Sequence, residues 1–131
     1  MATVSLVGRL GADPDLRTAR DGSEMASLNV AWSERLKDAT GEWVDSPTIW
    51  VTVKVRGKQA QNVADSLTKG MLVVCNGELR PEMWASDQGE KTVFVLWAKH
   101  VSPALMGQVA MVSKPSNSPT PRDDGDREPP F

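Results

Sequence analysis

The chain has 131 residues, 40% of them apolar, and a formal net charge of -2 from 15 basic and 17 acidic side chains. That length supports one domain with a real core, not two, and no apolar run approaches the ~20 residues that span a bilayer. One cysteine, Cys75, and one histidine, His100, exclude an intramolecular disulfide and disfavour metal sites and catalytic triads built on those residues.

Val4-Ser5-Leu6-Val7 reads as a short first strand. Gly8 and Gly11 flank Arg9-Leu10, which predicts a bulge or sharp bend. Ala26, Leu28, Val30 and Trp32 alternate with Ser27, Asn29, Ala31 and Ser33, the period of two of a second strand, with Trp32 on its core side. Residues 34–47 read as a long loop holding Arg35, Lys37, Gly41 and Trp43. Thr48–Arg56 alternates most cleanly and makes a third strand. Ala60, Val63, Ala64 and Leu67 mark one face of a helix, with Gly70 placed to end it and Lys69 near its negative end. Met71–Gly77 is a nearly continuous apolar run, the mark of a strand buried on both faces. A turn over 85–91 leads into a last strand, Thr92–Val101. Three strands, a helix, then two strands is the layout of an all-β, five-stranded Greek-key barrel of the OB-fold type, with one helix between strands 3 and 4.

The third strand carries the chemistry. Ile49, Val51, Val53 and Val55 form a core row; Thr48, Trp50, Thr52, Lys54 and Arg56 form the other. An indole among cations and hydroxyls suits stacking on the bases of a single-stranded nucleic acid. It equally suits a ring packed under a loop or at a subunit interface. The fourth strand repeats the pattern, with Glu78, Arg80, Glu82 and Trp84 on one face and Leu79 and Met83 on the other. Trp43 is either a third stacking ring or one folded onto its loop. Trp97 shares alternation with Val93, Val95 and Val101 and reads as core or interface. Residues 1–112 hold 12 basic and 13 acidic side chains, which argues against a basic-patch duplex binder. Cations gathered on one face (Lys54, Arg56, Lys58, Lys69, Arg80) would still hold a single strand. Cys75 lies in an apolar run and His100 has no evident partner, so an enzyme is not expected. No metal-ligand spacing and no phosphate-binding glycine loop is present, and no cofactor is expected.

Residues 113–131 hold five Pro, three Ser, four acids and three bases, with Phe131 the one large aromatic. Such a segment cannot bury enough surface to offset its ordering entropy, so disorder is expected. The domain reading is a folded body over 1–104, a linker over 105–122 that is Pro/Ser-rich from 113, and an acidic tip over 123–131. Leu105–Val112 is apolar and suits docking either on the body or on a neighbouring subunit. The tip ends in Pro129-Pro130-Phe131 after four acids, a shape suited to an apolar pocket with a basic rim on a partner.

In combination, VSLVGRLGADPDLR (4–17), SLNVAWSE (27–34), DATGE (38–42), WVTVKVRGK (50–58), LTKG (67–70), VVCNGELRPEMW (73–84) and the acidic tip resemble the bacterial single-stranded DNA-binding protein family of OB-fold proteins. The resemblance implies a homotetramer that wraps single-stranded DNA without sequence preference. It also implies an acidic tip that recruits replication, recombination and repair proteins, and a cytoplasmic, nucleoid-associated location. It places Trp50 and Trp84 on stacking aromatics, Lys58, Lys69 and Arg80 on phosphate-contacting cations, and Asp123, Asp124, Pro130 and Phe131 on the partner-binding tip, to which Asp126 and Pro129 belong. Lys54 and Arg35 complete the expected phosphate contacts, with Arg56 and Trp43 assisting in stacking. The chain departs from the family pattern in a short linker, in Arg127 and Glu128 interrupting the acidic run, and at four places in the body. Arg35 or Leu36 replaces a loop aromatic, Arg56 an aromatic, Glu82 a cation and Val51 a polar interface residue. Such departures suit a paralogue or a phage-type version. Two rival readings share the fold: an RNA-binding protein and a protein-binding adaptor.

Overall fold

Eight strands and one helix lie within residues 1–113, the part of the chain that the computed structural model describes. The strands are β1 (Ala2–Leu10), β2 (Asp15–Thr18), β3 (Glu24–Trp32), β4 (Arg35–Lys37), β5 (Trp43–Asp45), β6 (Ile49–Arg56), β7 (Leu72–Ser86) and β8 (Gly89–Pro103); helix α1 (Lys58–Ser66) lies between β6 and β7. The acidic tip and the linker from residue 114 onward lie outside the described residues.

The main sheet runs β1-β7-β8-β6-β3-β2, and β1 also pairs with β3, which closes it into a barrel. The five long strands β1, β3, β6, β7 and β8 form the wall. Only β6 and β8 run parallel; the other pairs are antiparallel. This is the expected OB-type barrel, with its helix between the third and fourth wall strands. Inside, Leu6, Leu28, Val30, Val53, Val55, Val73, Cys75 and Leu96 meet, and Ala60, Val63 and Leu67 of the α1 region pack against them.

Glycine permits the closure. Arg9 pairs with Leu72 of β7 and also with Ala31 of β3, so β1 is pressed between two neighbours. A Cβ on Gly8 would stand 2.4 Å from the Ala31 carbonyl oxygen. The register through Gly8 is continuous, so its role is close strand approach rather than the bulge the sequence suggested. The helix is also shorter than its pattern. It ends at Ser66, with Leu67 extended. Gly70, at φ 92°, instead serves a turn in which Met71 N–H donates to the Thr68 carbonyl at 3.2 Å. Lys69 therefore stands in that turn, away from the last helical turn. In β7 one row is buried (Val73, Cys75, Gly77) and the other half-buried (Leu72, Val74, Asn76), so the apolar run is not sealed on both faces.

A bulge in the β7–β8 ladder has the larger effect. Asn76 lies opposite His100 but Gly77 lies opposite Ala98, so Lys99 is an extra residue. One extra residue exchanges the two faces of a strand. Val101 thus packs against the core, whereas Trp97, four residues earlier, points outward. A Cβ on Gly77 would lie 2.0 Å from the Trp97 carbonyl oxygen.

Two outcomes follow. Gly77→Ala must force the bulge apart and should lower stability by about 1–3 kcal/mol in chemical denaturation. Burial pushes the Cys75 thiol up to about 12, so a thiol reagent at neutral pH should label it only at the rate of unfolding.

Candidate nucleic-acid interface

On the outer face of the wall, β8 lies between β6 and β7, and their outward rows form one surface. Trp50, Thr52, Lys54 and Arg56 come from β6, Trp97 from β8, and Glu78, Arg80, Glu82 and Trp84 from β7. Register places Lys54 beside Trp97, and Trp97 beside Glu78. The two cation–indole strands of the sequence are therefore one face, joined by a strand that sequence reasoning left out of it. Trp50 is 60% exposed and Trp84 41%. Six residues of extended chain separate Trp50 from Arg56, roughly 20 Å along the strand.

Trp50 lies over Gly11: a Cβ there would meet the indole at 2.4 Å. The ring has backbone beneath it and solvent above it. At the other end a groove of about 260 Å³ is lined by Lys54, Arg56, Arg80, Lys99, Glu78, Trp97 and Ala98. The Arg56 guanidinium sits 4.3 Å from the Trp97 ring centroid, and Lys54 Nζ lies 5.5 Å from Trp97 and 5.9 Å from Trp84. Glu82 accepts from Trp84 Nε1 at 3.2 Å and from Trp97 Nε1 at 3.0 Å. These bonds, the Trp84 one foremost, hold its carboxyl below the usual range. Arg80 pairs with Glu78 at 2.6 Å. An exposed pair of this kind is worth ~0–1 kcal/mol, so an arriving phosphate can displace it.

Residues 34–47 are not an open loop. Strands β4 and β5 pair as a hairpin, closed by Asp38, whose carboxylate accepts from the Thr40 hydroxyl and from the Thr40 and Glu42 N–H groups. Those bonds, the Thr40 hydroxyl first, lower the Asp38 pKa. Trp43 is 58% exposed there, with Lys37 Nζ 5.2 Å from its ring. Arg35 faces Asp45 at 3.7 Å. The hairpin leaves the barrel where β3 ends and β6 begins, at the Trp50 end. Trp32 is exposed at this mouth and donates to Glu34 at 2.7 Å, a correction to its core assignment. Lys69 also belongs to this end, because Gly70 N–H bonds the Leu10 carbonyl, next to Gly11. Lys58 begins α1, just past Arg56, at the far end of the face.

Of the two readings of Trp97, core or interface, the structure removes the core one: the ring is half-buried on the outer face. A period of two groups it with Val101, and the bulge at Lys99 breaks that period. Gly77 opposite the valine-rich strand was the one available signal. Among the described residues, no group of three or more His, Cys, Asp or Glu side chains is placed to hold a metal ion. No helix there is long and apolar enough to cross a membrane.

An open sheet face of indoles and cations on an OB-type barrel defines a class of nucleic-acid-binding module. The single-strand binding protein family pattern matches residues 1–104. The single-stranded DNA-binding proteins of Mycobacterium tuberculosis and Mycolicibacterium smegmatis are each 36% identical over 118 residues, covering 88% of this chain and 72% of theirs. Among solved structures, a small single-stranded DNA-binding protein from Streptomyces coelicolor superposes with a TM-score of 0.70 at 24% identity, over 79% of this chain and 94% of that one. A deletion mutant of the Thermus aquaticus single-stranded DNA binding protein gives 0.70 at 28% identity, over 82% of this chain and 53% of that one. The chain belongs to the single-strand binding protein family.

The Glu82 bonds predict a pH response. A carboxylate with a lowered folded pKa adds stability above its unfolded value, and that stability is lost as pH falls through the folded one. Tryptophan emission should stay constant from neutral pH down to 4.5, the ordinary value of this carboxyl, and change only below it. Glu82→Gln should remove that acid transition.

Proposed function

We propose that this protein binds and protects single-stranded DNA without sequence preference, through bases stacked on exposed rings and phosphates held by nearby cations. The observation that carries it is the single outer face on which Trp50 and Trp84 stand exposed among Lys54, Arg56 and Arg80. Family membership and the names of the relatives support the same reading. In it Trp50 and Trp84 stack bases, with Trp43 on the β4–β5 hairpin and the Arg56 plane assisting. Lys54, Lys58, Lys69, Arg80 and Arg35 contact phosphates.

The finer proposals rest on sequence. Residues 1–104 form the DNA-binding body. The tip, with Asp123, Asp124, Asp126, Pro129, Pro130 and Phe131, docks replication, recombination and repair proteins at the nucleoid, and residues 105–122 link the two. The assembly proposed is a homotetramer. The exposed apolar side chains of Leu105, Met106, Val109, Met111 and Val112 suit burial against another copy.

Titration with oligo-dT, followed by tryptophan fluorescence at low and high salt, tests the reading. Strong quenching is expected with the single strand and not with duplex, weakening as salt rises. Trp50→Ala and Trp84→Ala should each cost about 1–3 kcal/mol of binding. No quenching at low salt would assign these rings to a protein interface. Removing residues 123–131 should abolish partner capture and leave DNA affinity equal or slightly higher, because the acidic tip competes for the same cations. Unchanged capture would rule out the docking role.

A further inference from the structure

Glu82 is out of place on a surface that attracts phosphates. It sets a negative charge on the outer face, beside Lys54 and Arg80. Its two oxygens are nevertheless both engaged: Oε1 accepts from Trp84 Nε1 and Oε2 from Trp97 Nε1. Arg56 meets the same group of side chains, because its guanidinium lies 4.3 Å from the Trp97 ring centroid. Lys54 lies over both indoles and completes the cluster.

We infer that Glu82 is a positioning residue for the stacking surface: one carboxylate fixes Trp84 directly and, through Trp97, fixes the plane that Arg56 presents to a base. The inference rests on the single-strand reading above and adds how that site is kept in shape. An unrestrained indole turns about two side-chain bonds, and an arginine about four. Both must be held still to stack on a base, and ordering them beforehand lowers the entropy lost on binding. A carboxylate is the side chain suited to take two N–H donors at once, one on each oxygen. A lysine at position 82 would add attraction for phosphate but has no acceptor, so both indoles would be released. Trp97 is half-buried against the sheet and acts as the support for Arg56 rather than as the outermost ring.

The test uses the full chain. In the DNA-free protein, the Trp84 and Trp97 indole N–H signals in proton–nitrogen NMR, assigned with Trp84→Phe and Trp97→Phe, should titrate together at one acidic midpoint. That measurement needs no substitution at position 82. In Glu82→Ala both signals should lose that shift. Glu82→Gln should lose the titration too, but, keeping one acceptor oxygen, it should hold one indole N–H near its hydrogen-bonded position at neutral pH.

Binding of a short oligo-dT is then measured at high salt, where the lost charge matters least. Glu82→Ala should bind about 2- to 12-fold more weakly for each ring set free, with Glu82→Gln in between. A charge-only role predicts tighter binding by Glu82→Ala at low salt and no loss at high salt, and either unchanged or tighter binding at high salt would overturn the inference. Trp97→Leu should weaken binding in the parent chain and add nothing in an Arg56→Ala background. Additive losses would overturn the supporting role of Trp97. Failure of the parent chain to bind oligo-dT would sink the single-strand reading, whereas the indole titration would still report on the carboxylate latch.

Discussion

A barrel of five strands has room inside for one row of side chains from each. Leu28, Val30, Val53, Val55, Val73, Cys75 and Leu96, with the helix residues Ala60 and Val63, fill it, and close packing leaves no place for an indole among them. Every tryptophan must therefore stand on the outer wall, at the mouth or on a hairpin. Trp50, Trp84 and Trp97 lie on the wall, Trp32 at the mouth and Trp43 on the β4–β5 hairpin. The small interior fixes where the aromatic surface is, and the cations of β6 and β7 give that surface its sign.

Alternation made most of this legible. The inner row Val51, Val53 and Val55 and the outer row Trp50, Thr52, Lys54 and Arg56 of β6 follow from alternation, whereas Ile49, 50% exposed at the strand's start, leaves the expected core row. The pairing of Arg80 and Trp84 on β7 was readable for the same reason. The relation between the two strands was not. It depends on β8 lying between them and parallel to β6, a long-range pairing that no local pattern encodes.

Where alternation failed, a specific backbone event intervened. The bulge at Lys99 turned Trp97 to the opposite face from Val101. In residues 34–47, short hairpin strands of three residues gave too few repeats to show a period, and Asp38 closed them through side-chain bonds. The helix was found from its apolar spacing, but its end was misplaced because Gly70 has a turn of its own to serve. The resemblance named the charge reversal at Glu82; only the geometry shows that its partners are two indole N–H groups.

Gly11 shows how far the working surface reaches into the scaffold. Its missing side chain makes the space in which Trp50 lies, with the indole at 2.4 Å from where a methyl group would stand. The residue has nothing to offer a ligand, yet the smallest substitution there would push the ring off its seat. In a survey of inherited variants, Gly11 would behave like a contact residue while touching nothing but a neighbour. The boundary between framework and recognition surface in this protein therefore runs beneath the rings, one layer deeper than a map of exposed side chains would draw it.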